Sequence, residues 1–238
     1  MLKTLKARVG SAAHAMGYNI HKVGDFHTST LFSSLGIDLL IDVGANKGQY
    51  AISQRANGYK GEILSFEPLS AAHEHLIALA KDDVNWRIAD RMALGETSGE
   101  IEINLAGNSA SSSILPMLNA CLVAEPESRY VGKETVALRR LDDVLELKMF
   151  GRKIFLKLDV QGFEAYVLNG AEHVLAIALA VQLEMSLLPL YQGERLMPEM
   201  QQFLRERGFE LWDLRPGFRD PATGRLLQVD GIFTREHT

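Results

Sequence analysis

Four runs along the chain are apolar with little polar alternation: LLIDV at 39–43, EILSFE at 62–67, KIFLKLDV at 153–160 and ALAVQLEM at 178–185. A strand with one wet face alternates apolar and polar residues, whereas one covered on both faces does not, so these runs predict buried strands of a largely parallel sheet. Between them, GQYAISQRANG and LSAAHEHLIALAKD read as helices, and AYVLNGAEHVLA predicts one further helix after the third run. Strand and helix alternating in this way build a sheet with helices on both faces.

Residues 95–141 interrupt that rhythm: GEIEIN and ETVALRRL read as extra strands framing a loop-rich insertion, LAGNSASSSILPMLNACLVAEPESRYVG. The tail predicts a helix, EMQQFLRERG, then the strands FELWDL and GRLLQVDGIFTRE joined by the turn-rich RPGFRDPATG, an antiparallel pair at the sheet edge. No internal repeat or low-complexity linker divides the chain. One domain over 35–238 is expected, preceded by a helical or cap segment at 1–34.

Composition narrows the function classes. The 238 residues are 47% hydrophobic with a net charge of -5, and the 25 basic residues are dispersed, so no cationic face suits a nucleic-acid backbone. The single cysteine, Cys121, leaves no disulfide framework or multi-cysteine metal cluster and fits a reducing compartment, which points to the cytoplasm. The opening MLKTLKARVGSAAHAM lacks the apolar core of a signal peptide. The long apolar run from Val174 is broken by Gln182, Glu184 and Pro189, short of the roughly 20 residues of a membrane span. A soluble protein without integral membrane segments is expected, with a homo-oligomer left open.

The chemistry gathers at the ends of the predicted strands. The first delivers Asp42 and Gly44, then Ala45 and Asn46, with Gly48 where a helix begins. In doubly wound folds this is the ligand-binding edge, where glycine admits close backbone approach and free N–H groups hold anions. The spacing G-x-x-x-G lacks the middle glycine of a dinucleotide fingerprint. The second strand ends in Glu67 and Pro68; Glu67 lies nineteen positions past Gly48, close to the interval expected of an acid that accepts hydrogen bonds from ribose hydroxyls. Asp159, followed by Gly162, and Glu184 end the third and fourth strands, so Asp42, Glu67, Asp159 and Glu184 are expected along one crevice. Two such acids also suit a hard divalent cation such as Mg²⁺.

Other candidates carry less chemistry. Glu164 braces or caps the following helix, or takes part in catalysis. His73 and His75 sit two apart on a helix and point to different faces, which argues against a shared metal. His27 is a candidate base, Tyr191 flanks the substrate or closes the core, and Arg139 and Arg140 read as a solvated strand end. Asn108, Ser111 and Ser112 in the insertion suit a polar acceptor, or satisfy their own turn; the long loop that carries them is a lid candidate.

Taken in order, LLIDVGANKGQYA, ILSFEP, MALGETSGEIEIN, NSASSSIL, LKLDVQGFEAYVLNGA and VQLEMSLLPLY resemble the successive motifs of the FkbM family of S-adenosylmethionine-dependent methyltransferases, over about 35–233. The resemblance implies a class I methyltransferase (Rossmann-like) fold: a mostly parallel seven-stranded sheet, helices on both faces and antiparallel C-terminal strands. It implies O-methylation of a sugar, polysaccharide precursor or secondary metabolite. The Gly44 turn would face the methionine end of the cofactor, Glu67 its ribose, and Asp90 with Ala93 its adenine. Asp159 would lie beside the sulfonium and the acceptor oxygen, either as general base or, with Glu184, holding a metal. A cofactor-binding scaffold without turnover remains an alternative, as does an NAD-dependent oxidoreductase, which the missing glycine disfavours.

Overall fold

The computed structural model describes residues 26–145 and 151–235, and the side chains of Phe26 and His27 lie outside the description. In chain order α1 (Phe26–Leu35), β1 (Leu39–Val43), α2 (Gln49–Ala56), β2 (Glu62–Phe66), α3 (Ser70–Ala80) and β3 (Trp86–Ile88) come first. They are followed by β4 (Ala93–Leu94), β5 (Gly99–Ala106), α4 (Asn119–Ala124), β6 (Tyr130–Arg139) and α5 (Leu141–Val144). The chain continues as β7 (Ile154–Leu158), α6 (Glu164–Asn169), α7 (Glu172–Ile177), β8 (Ala180–Ser186), α8 (Met197–Arg205), β9 (Phe209–Pro216) and β10 (Gln228–Arg235).

The central strands β1 and β7 are buried along their whole length. Leu39, Ile41 and Val43 enter a core with residues of α6, α7 and α8, while Leu40 points the other way, toward residues of α1, α2 and α3. Two-sided burial is thus the physical reason for the missing polar alternation. The seven-stranded sheet has the order β3-β2-β1-β7-β8-β10-β9. Neighbours from β3 to β8 run parallel, and β10 is antiparallel to both β8 and β9. This is the class I methyltransferase arrangement. Strand order reverses between β1 and β7, so a crevice opens above their carboxyl ends.

Two expectations change. The single helix predicted over AYVLNGAEHVLA is two, α6 and α7, because the chain turns at Gly170 against Gly95; a β-carbon there would lie 1.9 Å from the Gly95 carbonyl oxygen. Asp142 of α5 then caps α7, accepting the N–H groups of His173 and Val174 at 3.0 and 3.1 Å. The insertion is more ordered than its composition suggests. β5 and β6 pair antiparallel from Gly99–Leu138 to Ala106–Tyr130 and, with β4, form a second, three-stranded sheet, leaving the irregular stretch at 107–118. Among the described residues no helix is long and apolar enough to cross a membrane.

Candidate active site

Above the switch point lies a cavity of about 550 Å³, lined from β1, β2, β7, β8 and the 109–114 loop. At one end the Gly44 turn closes against the next loop. Gly44 adopts φ 73° and its α-carbon abuts the Asp159 backbone, so that a β-carbon would lie 1.9 Å from the Asp159 carbonyl oxygen. The N–H groups of Gly44 and Ala45 both donate to the Phe66 carbonyl, at 3.0 and 3.1 Å. Glu67 follows, 4% exposed, and accepts the N–H groups of Asn46 at 2.7 Å and Leu69 at 2.9 Å. Burial pushes its carboxyl up to about 7, against the pull of those two amides. Met92, Ala93, Leu94 and Ile103 supply an apolar wall.

The other end is a polar layer of side chains. Lys157, from the middle of β7, sets its ammonium 3.0 Å from Asp42, 3.2 Å from the Gly44 carbonyl oxygen and 3.7 Å from Asp159. Burial alone would depress that ammonium, but Asp42 and Asp159 outweigh it and hold it above the ordinary lysine range. Gln161 adopts φ 54°, a strained conformation for a non-glycine residue. Its amide nitrogen donates to Asp159 at 2.8 Å and to Glu184 at 2.9 Å, and its amide oxygen accepts the Tyr191 hydroxyl at 2.7 Å. Gln228 donates to Glu184 as well, at 2.8 Å. Tyr50 donates to Gln182 at 2.7 Å. Burial, reinforced by Asp159, Glu164 and Asp230, holds the Glu184 carboxyl well above the usual range.

Gly44, Ala45, Asn46, Glu67, Pro68, Ala93, Ser112, Asp159 and Glu184 all line the cavity. Others expected with them do not. Asp42 lies one layer deeper, fully buried, because its same-face neighbour in the sheet is Lys157, whose ammonium covers it. Gly48 faces Leu76, Leu79 and Trp86 beneath α3, and its φ of 81° serves the entry to α2. Asp90 is exposed outside the cavity, and Met92 and Ala93 occupy the wall instead. Asn108 and Ser111 satisfy each other across a turn, the Asn108 side chain donating to Ser111 Oγ and accepting the Ser111 N–H, both at 3.0 Å. Tyr191 is buried behind Gln161. Glu164 braces the loop by accepting the Val160 N–H at 2.9 Å, and burial pushes its carboxyl up to about 8. The His27 side chain lies outside the described residues.

Sequence reasoning missed Lys157, Gln161, Gln182 and Asp230 as cavity residues. A signal was present: Lys157 is the lone polar residue of IFLKL, and Gln182 is a polar residue within the apolar run ALAVQLEM, where an unpaired polar group is costly.

A family model described as the methyltransferase FkbM domain matches residues 42–211. Among curated proteins, methyltransferase sdnD of Sordaria araneosa is 25% identical over 197 residues, 72% of this chain and 73% of that one. Magnesium protoporphyrin IX methyltransferase from Synechocystis PCC 6803, solved with bound SAM, aligns with a TM-score of 0.48 at 10% identity, over 89% of this chain and 76% of that chain. A TehB-like SAM-dependent methyltransferase from Corynebacterium glutamicum aligns with a TM-score of 0.44 at 12% identity, over 98% of this chain and 97% of that chain.

Proposed function

The chain belongs to the FkbM methyltransferase family, and on that premise we propose that it uses S-adenosylmethionine to methylate a hydroxyl group of a small polyhydroxylated acceptor, with Asp159 receiving the hydroxyl proton. Sugars, polysaccharide precursors and hydroxylated secondary metabolites are the acceptor classes. When bound, S-adenosylmethionine supplies an electrophilic methyl group on a cationic sulfur.

The cavity's donor set fits that cofactor. Glu67 is a buried carboxylate whose oxygens each accept one backbone N–H and keep a lone pair for a ribose hydroxyl. Asn46 Oδ1 is a buried acceptor without a hydrogen-bond partner. The wall of Met92, Ala93 and Leu94 suits the flat face of adenine, and the volume of about 550 Å³ lies within the usual range for small-molecule sites.

An alcohol attacks carbon only when its proton has an acceptor, and the observation that carries the assignment is Asp159 lining the same cavity as the Gly44 turn, with its main chain in contact with Gly44. Lys157 offers it a counter-charge at 3.7 Å, whereas burial and the neighbouring acids raise Glu184 toward its neutral form. Asp159 accepts the proton, and Glu184 orients the acceptor as a neutral group. Ser112 Oγ accepts the Ala106 N–H at 2.9 Å and so keeps its own proton to donate to an acceptor oxygen. A divalent cation shared by Asp159 and Glu184 is disfavoured by the Gln161 amide nitrogen, which already donates to both.

Replacing Asp159 by Asn tests the assignment. Turnover of hydroxylated acceptors should fall by roughly 10²–10⁴-fold, while calorimetry shows S-adenosylhomocysteine still binding. Full activity in D159N would remove the base, and methylation confined to amine nitrogens across an acceptor panel would remove the hydroxyl reading.

A further inference from the structure

A lysine in the middle of a fully buried strand is costly to desolvate unless its charge is matched. Lys157 is the only basic side chain among the described residues lining the cavity, and its own side chain is 7% exposed. A purely structural lysine would be explained by Asp42 alone. This one also reaches the Gly44 carbonyl oxygen at 3.2 Å and Asp159 at 3.7 Å, with the Tyr50 ring centroid at 5.5 Å. We infer that Lys157 is a positioning residue for the methyl transfer, one ammonium that ties the Gly44 turn to Asp159 and so sets the donor-side loop and the proton acceptor together. The inference rests on the reading of Asp159 as the base.

The arrangement makes one cation serve two carboxylates. Among the described residues neither Asp42 oxygen accepts an aligned hydrogen bond, so the Lys157 ammonium at 3.0 Å is the counter-charge of Asp42 and holds it in place. Asp159 receives what remains of that charge, at the longer distance of 3.7 Å. Among the described residues the other titratable groups facing Asp159 are Glu184 on β8, Asp230 on β10 and Glu164 on α6, all acids. Removing Lys157 therefore takes away the counter-charge of Asp159, and removing the charge of Asp42 frees Lys157 for it. The two substitutions act on the base in opposite directions, which an ordinary packing role would not produce.

The pH dependence of kcat/KM reads this directly. In K157M the acidic limb should move to higher pH, because Asp159 loses its counter-charge. In D42N it should move to lower pH, because Lys157 no longer serves a second carboxylate. Calorimetry with S-adenosylhomocysteine should show a several-fold weaker complex for K157M, because the Gly44 carbonyl loses its donor, and little change for D42N. If K157M fails to fold, D42N alone decides. A limb that stays at the wild-type position in both variants while D159N is inactive overturns the inference and leaves the base standing; an active D159N removes the base itself.

Discussion

Glu67 and Asp159 each stand at the carboxyl end of a strand of one sheet, yet they are held by different kinds of partner. Glu67 is fixed by the main chain, through the N–H groups of Asn46 and Leu69. Asp159 is fixed by side chains, Lys157 and Gln161, which depend in turn on Asp42, Glu184 and Tyr191. A main-chain cradle stays in place when neighbouring side chains change, which suits a constant ligand such as the methyl donor. A side-chain network is adjustable one residue at a time, which suits the end of the cavity that we propose for a variable acceptor.

The two ends meet at Gly44, and the largest effect is expected there. Gly44→Ala would need φ 73° and would drive a methyl group to within 1.9 Å of the Asp159 carbonyl oxygen. We expect a loss of roughly 3 kcal/mol or more, seen as a fall of roughly 6–12 °C in the melting midpoint, with both S-adenosylhomocysteine binding and turnover impaired. A variant as stable as wild type would show that the two loops are not in contact.

A smaller effect separates the ends. Glu67→Gln keeps the shape but removes the charged acceptor, and hydrogen bonds to charged groups contribute about 1.5–3 kcal/mol, so cofactor affinity should drop by roughly 10–100-fold. The Glu67 carboxyl titrates near 7, so wild-type affinity should rise between pH 6 and 8 as the acceptor ionises, and E67Q should be flat. An unchanged slope in E67Q would assign the pH dependence to another group.

The smallest effect concerns a main-chain anchor at the Asp159 end, Glu164 on the Val160 N–H. Its carboxyl is raised to about 8 from an ordinary 4.5. The folded state thus holds the proton more tightly than the unfolded chain, and this contribution is complete below 4.5 and lost as pH rises through 8. Glu164→Gln, which keeps an oxygen for Val160, should change the melting midpoint little at pH 5. It should flatten the wild-type decline toward pH 8. Parallel wild-type and E164Q stability curves would mean that Glu164 does not hold this proton.

How much of this could be read from the residues follows the same division. The buried strands were legible because two-sided burial writes an apolar run, and the Gly44 turn and Glu67 because a left-handed glycine and a strand-end acid are local requirements. AYVLNGAEHVLA was legible as helical but not as two helices, since the break depends on Gly95, far away in the chain. Asp90, equally acidic at a strand end, lies outside the cavity because the loop that follows it brings Met92 and Ala93 inward instead.

The order of apolar runs, the glycine turn and the strand-end acids therefore carried the fold class and the Gly44–Glu67 end of the cavity, because each is encoded within a few neighbouring residues. The Asp159 end came from sheet register: Asp42 beside Lys157, Lys157 beside Gln182, Glu184 beside Asp230. Those pairs are separated by dozens of residues along the chain, and a charge's partner depends on which strands lie side by side, a relation that no local pattern records.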